Sequence, residues 1–168
     1  MVVNRYAELY GMSACSVRLS SVYGPMDRAT ESRNFRHVPN KVAHIALECR
    51  PIRATALDGV GDYLHAGDAA EAIARLLLAP RINHRVYNIA AGVVTTTAEL
   101  IQYAAEKIPG TRAEIVPAAE ADIVQDVVIR DGMWGAYEIS RIFAETGWRP
   151  RPVREALHDY IDWIRANE

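Results

Sequence analysis

RLSSVYGP, residues Arg18–Pro25, decides how the rest of this chain is read. Val17 and Leu19 alternate with Ser16 and Arg18, the period-2 pattern of a strand, and Ser13–Ser20 is predicted as one. The strand runs into Tyr23-Gly24-Pro25, a tight corner. Strand ends of this kind, small hydroxylated residues followed by a turn, line ligand crevices in α/β sheets. Before the strand, residues 2–10 are predicted helical: Val3, Tyr6, Ala7 and Tyr10 share one stripe and Gly11 supplies the stop.

Working downstream, a polar loop fills residues 26–36 and a helix is predicted from Pro39, with Val38, Val42, Ile45, Ala46 and Cys49 on its apolar positions. Pro51 ends it. IRATAL and Tyr63–His65 are predicted strands, and Asp68 is placed as the N-cap of the helix AAEAIARLLLAP. Arg85–Ala90 reads as a buried strand ended by Gly92. Thr96 and Glu99 form a capping box that opens a further helix through Leu100, Ile101, Ala104 and Ile108. AEIVP is a short strand, YEISRIFAETGW a helix stopped by Gly147, and Pro152 opens a final amphipathic helix. Residues 118–136 carry no readable period. Strands alternate with helices, which makes the fold class α/β, and 168 residues suit one compact domain.

Composition narrows the function. The net charge is -2, and the basic residues, all Arg except Lys41 and Lys107, are scattered, which argues against nucleic-acid or membrane-surface partners. The two cysteines, Cys15 and Cys49, fall in apolar patterns and read as buried free thiols of a reducing compartment. The five histidines show no metal-ligand spacing. MVVNRYAELYG has no long apolar core, and no segment reaches the roughly 20 apolar residues of a membrane span, so a cytoplasmic location is expected. Neither G-x-G-x-x-G nor a P-loop occurs. The glycines of DGVGDY precede a strand, not a helix, and so lack the helix N-terminus that holds a pyrophosphate. A G-x-S-x-G elbow is absent, and no carboxylate pair argues for glycosidase chemistry.

Four blocks carry a resemblance. YAELYGMSACSVRLSSVYGP, DYLHAGDAAEAIARLLLAP, VYNIAAGVVTTTAEL and ISRIFAETGWRPRPVREALHDYIDW are similar, in that order, to the later half of the NAD-dependent epimerase/dehydratase enzymes. These are extended short-chain dehydrogenases that act mainly on nucleotide sugars. The resemblance implies the C-terminal part of a Rossmann-type parallel sheet with a small substrate-binding lobe, NAD or NADP as the cofactor, a sugar-type small-molecule substrate, and a homo-oligomer. It also implies that a glycine-rich turn and a Tyr-x-x-x-Lys pair precede this stretch. Tyr6, Tyr10 and Tyr23 are not followed four residues later by lysine, so none replaces that pair. The isolated chain is therefore expected to bind cofactor weakly or not at all and to show no catalysis.

Residue by residue, the resemblance places Ser20 and Ser21 at the nicotinamide and substrate. Ser21 stands where the family usually has Asn, which puts that substrate hydrogen bond in doubt. Tyr23 is either a substrate contact or a structural corner. Arg36 and His37, just before the lobe's helix, are either substrate contacts or solvent-facing. Gly61 stands where many members carry an Arg that clamps phosphates, and Arg130 is a candidate to supply that charge instead. His65 is read as a satisfied interior histidine, and Trp148 and Trp163 as core. A second reading of the whole chain is a binding module that self-associates or pairs with a partner through an exposed sheet edge.

Overall fold

The computed structural model describes residues 2–28, 30–31, 36–125 and 135–167. Arg130, with most of the unreadable stretch around it, lies outside the described residues. Helix α1 (Val2–Tyr10) stops at Gly11, whose φ of 64° is the left-handed turn that glycine tolerates. Strands β1 (Ser16–Leu19) and β2 (Ser21–Tyr23) follow, then helix α2 (Val38–Leu47), β3 (Ile52–Ala54), β4 (Val60–Gly61), β5 (Tyr63–His65) and helix α3 (Ala66–Leu78). The chain continues through β6 (Val86–Ile89), β7 (Thr95–Thr96), helix α4 (Thr97–Lys107), β8 (Ala113–Ile115), helix α5 (Ser140–Thr146) and helix α6 (Val153–Asn167). The architecture is α/β, and its strand pairs are β1–β6, β2–β5 and β3–β8, all parallel, with β4–β7 antiparallel.

One feature of that pairing builds the site. β1 and β2 are nearly one strand, interrupted at Ser20, and the chain changes neighbour there. The Ser20 N–H donates to the Ile89 carbonyl at the end of β6 (3.2 Å), whereas the next N–H, of Ser21, donates to the Asp62 carbonyl ahead of β5 (3.1 Å). The sheet forks at this point.

Two apolar clusters flank the fork. One joins α2, α4 and α6 through Val42, Leu100, Leu157 and Ile161. The other packs Leu64, Ala72, Tyr87 and Ile142 around Trp148, with α3 and α5 on one side of β5 and β6. Trp148 is buried as expected, and Trp163 is half-buried against the first cluster. The capping box forms: the Thr96 hydroxyl accepts from the Glu99 N–H (3.1 Å), and the Glu99 carboxylate accepts from the Thr96 N–H (2.7 Å).

Three expectations need correction. α3 is capped by His65, whose Nδ1 accepts the Gly67 N–H at 3.1 Å, not by Asp68, because β5 runs directly into the helix and leaves His65 at the extended cap position. Asp68 sits in the first turn and pairs with Arg151. Cys49 is exposed: α2 ends before it, and φ of 55° turns it off the apolar stripe. Cys15 is half-buried. α5 begins at Ser140, later than its sequence pattern suggests, because the Tyr137 N–H is held by Asp62 and the Glu138 carbonyl by Asn88.

Candidate active-site cavity

The fork opens a cavity of about 470 Å³. It lies off the carboxyl end of β1, the side on which open α/β sheets bind ligands, and its size suits a small molecule. Ser20, Ser21 and His37 all line it, so the structure brings together three of the positions singled out in the sequence. The Ser20 hydroxyl is buried and has no hydrogen-bond partner among the described residues. An orphaned buried hydroxyl on a cavity wall costs free energy until a ligand or water satisfies it.

The other candidates sit elsewhere. Tyr23 is buried at 1% exposure, edge-on to the rings of His65 and Tyr160, with centroids 5.7 and 5.8 Å away. Burial, then the nearby Asp68 charge, drives its hydroxyl pKa far above that of a free phenol, so it stays neutral. Arg36 is exposed and lines a separate cleft of about 190 Å³ with Lys41, His44 and Arg50. Two cationic groups there are already engaged: Arg50 pairs with Asp122 (2.8 Å) and Glu48 (2.6 Å), and the Lys41 ammonium donates to the Asp122 carbonyl (2.7 Å).

Sequence reasoning missed the group that holds the cavity open. Asp62 is buried, and its carboxylate accepts three backbone N–H bonds, from Ala91 (2.8 Å), Gly92 (3.1 Å) and Tyr137 (3.0 Å). Its own carbonyl accepts from Ser21. One residue therefore ties β2 and β5 to the turn after β6 and to the segment leading into α5, across the gap. No ion pair to Asp62 is present among the described residues. Its one signal in the sequence was its place in DYLHAGD, where the spacing drew attention to Asp68 instead.

Tyr63 and Gln125 complete the described polar wall with Tyr137. Burial pushes the Tyr63 hydroxyl up to about 12, so it is a neutral group at physiological pH. Gln125 is fixed through its Nε2, which donates to the Thr97 hydroxyl at 2.6 Å. The cavity thus offers serine and tyrosine hydroxyls, a histidine and a carboxamide beside apolar Leu19, Val60 and Val94. Such a wall can orient a hydroxylated molecule. It holds no group of described residues arranged to bind a metal ion.

Large apolar side chains of α1, β1 and α3 are exposed. β1 has one strand neighbour among the described residues, and its Val17 and Leu19 are exposed, as are Val2, Tyr6, Leu9 and Tyr10 of α1 and Leu77 and Leu78 of α3. No helix among the described residues is long and apolar enough to cross a membrane.

A model of the NAD dependent epimerase/dehydratase family matches residues 1–90. The dTDP-glucose 4,6-dehydratase of Mycolicibacterium smegmatis is 26% identical over 170 residues, covering 100% of this chain and 47% of that protein. The dTDP-glucose 4,6-dehydratase of Mycobacterium tuberculosis is 27% identical over 177 residues, with the same coverage of 100% and 47%. Among solved structures, the UDP-glucose 4-epimerase of Thermus thermophilus in complex with NAD matches with a TM-score of 0.72 and 26% identity, over 99% of this chain and 51% of that one. The chain spans about half the length of the curated relatives it matches.

Proposed function

Because the chain belongs to the NAD-dependent epimerase/dehydratase family, we propose that it is the substrate-side part of an NAD(P)-dependent enzyme that epimerises, dehydrates or oxidises a sugar-type substrate. The observation that carries this reading is the convergence of Ser20, Ser21 and His37 on one cavity off the carboxyl end of β1. The orphaned Ser20 hydroxyl fits a cofactor or substrate edge at that place. Ser20 and Ser21 would hold the nicotinamide end of NAD or NADP, which supplies the hydride acceptor when bound. Ser21 and His37 would orient the substrate hydroxyls. Tyr23 would fix the turn that ends the Ser20–Ser21 wall, and Arg36 and Arg130 are proposed as further substrate-contacting charges.

The exposed apolar side chains of α1 and β1 support a second element of the reading: they pack against the dinucleotide-binding part of the same fold, and in the isolated chain they are free to self-associate. Without that part the chain is inactive, and the assembled enzyme works as a homo-oligomer in the cytoplasm.

Amide-resolved NMR of the labelled chain tests where ligands bind. Titration with D-glucose, D-galactose and D-xylose is expected to shift the amides of Ser20, Ser21, His37 and Gly61. Shifts confined to other surfaces, or none in any titration, would overturn the reading.

A further inference from the structure

His65 stands at the opposite end of the β2–β5 pair from the serine wall. In register, Ser21 pairs with Tyr63 and Tyr23 with His65, and each strand is three residues long. The imidazole is 9% exposed and lies between two glycines. A Cβ built on Gly24 would sit 3.1 Å from its Nε2, and one built on Gly67 would sit 3.1 Å from its Nδ1. Gly24, with φ of 136°, belongs to the turn that ends the wall. The ring is thus pressed against that turn and edge-on to Tyr23.

Two donors meet its Nδ1, the Gly67 N–H and the Arg151 guanidinium, each at 3.1 Å. That nitrogen is therefore the acceptor, and the proton of the neutral ring is on Nε2, on the Gly24 side. We propose that His65 is the positioning residue of the Ser20–Ser21 wall: the neutral ring holds the Tyr23–Gly24 turn and, through the β2–β5 pair, the serines, and a proton on Nδ1 releases them. The charged ring turns a donor toward the Gly67 N–H and a cation toward Arg151, so the α3 cap is lost and the two cations repel. The anions that face it are Asp68 in the first turn of α3 and Asp159 on α6, both paired with Arg151. Asp68 keeps one carboxylate oxygen buried and without a partner among the described residues. That oxygen is the acceptor this corner offers a charged ring, which has already given up the Gly67 bond. Tyr23 on β2 and Tyr160 on α6 are the remaining neighbours; the Tyr160 ring centroid is 6.3 Å away, and its hydroxyl lies 3.4 Å from Nε2 of His44 on α2. Burial, then the Arg151 charge, outweigh both carboxylates and hold the His65 pKa below its ordinary value, so the release comes in acid. That the wall serves a ligand rests on the reading proposed above; the coupling is tested without one, so the two can fail separately.

NMR of the labelled chain, taken from pH 7.5 down to 4.5, tests it. The ring nitrogens of His65 and the amides of Gly67, Gly24, Ser20 and Ser21 are expected to titrate together, with one midpoint below about pH 6.5. His37 lines the cavity beside the serines and His44 stands behind Tyr160, so each is a rival source of a serine response. His65→Asn keeps a capping acceptor and cannot titrate, and is expected to abolish the response of Ser20 and Ser21. His37→Gln and His44→Gln are expected to leave that response in place. Serine amides that stay still while the His65 ring titrates would overturn the proposal. So would a serine response that survives in His65→Asn or disappears in either of the other two variants. Unfolding of the unmodified chain before its His65 ring titrates, read by circular dichroism, would overturn it as well.

Discussion

Asp62→Ala is expected to destabilise the protein by about 4 kcal/mol, an effect far larger than the ordinary cost of one surface carboxylate. The substitution leaves three backbone donors, on Ala91, Gly92 and Tyr137, facing a site with no acceptor. Each buried donor left unpaired costs about 1–3 kcal/mol, and bonds to a carboxylate lie at the stronger end of the range. Asp62→Asn keeps one acceptor oxygen and turns an amide N–H₂ toward the remaining donors, so it is expected to recover less than half of the loss. Urea unfolding followed by circular dichroism reads both. The damage should also be local: because the Asp62 carbonyl still accepts from Ser21, the β2–β5 pair survives while the turn after β6 loosens. A loss below about 1 kcal/mol for the alanine variant would mean that water replaces the carboxylate and that Asp62 does not hold the fork.

Arg151→Met is expected to cost about 3–5 kcal/mol, because it strands a buried carboxylate. The Asp68 side chain is 5% exposed and pairs with the Arg151 guanidinium at 2.8 Å. Arg151 also pairs with Asp159 on α6 and lies 3.1 Å from the His65 ring at Nδ1. It therefore links the first turn of α3 to α6, around the corner that packs on Tyr23. Adding Asp68→Asn to Arg151→Met should restore about half of the loss, since the uncompensated charge is then gone. If the single and double variants are equally unstable, the loss comes from packing of the arginine stem and the charge argument is wrong.

The same cluster sets a pH dependence. Burial first, and the Arg151 charge second, hold the His65 pKa below its ordinary value. Its Nδ1 accepts the Gly67 N–H that caps α3, which requires an unprotonated nitrogen. The unfolded chain protonates this histidine near pH 6.5, before the folded chain does. Stability is thus fully present above that pH, falls as pH drops below it, and levels off once the folded form also takes up the proton. His65→Gln should remove this part of the slope between pH 7.5 and 5.5.

Most of the secondary structure was legible because local signals agreed. Gly11 and Gly147 both adopt the left-handed conformation that ends a helix, the Thr96–Glu99 box forms as written, and Tyr63–His65 is a strand with its expected ends. The blocks around Arg18–Pro25 and Tyr63–Pro80 also pointed to the family, with Ser20 and Ser21 on the cavity wall. What could not be read was created by pairings distant in sequence. The change of neighbour at Ser20 depends on Ile89 and Asp62, and nothing near Ser20 announces it. The DGVGDY glycines could be judged poor at holding a phosphate, but their seating of Gln125, 66 positions beyond Gly59, needed the fold. Asp68 looked like a cap because aspartate at a helix start usually is one, and its partner Arg151 lies 83 residues away. Cys49 looked buried because its apolar stripe was extended two residues past the true end of α2 at Leu47.

A titration of NAD and NADP, followed by thermal shift and by the Ser20 and Ser21 amides, tests most directly whether this chain is one side of a two-part site. It should be run on the chain alone and on the chain joined at its front to a dinucleotide-binding half from the same family. The account predicts no saturable stabilisation of the chain alone, and saturable stabilisation of the joined protein with movement of both serine amides. Saturable binding by the chain alone, or binding by the joined protein that leaves Ser20 and Ser21 unmoved, would contradict it.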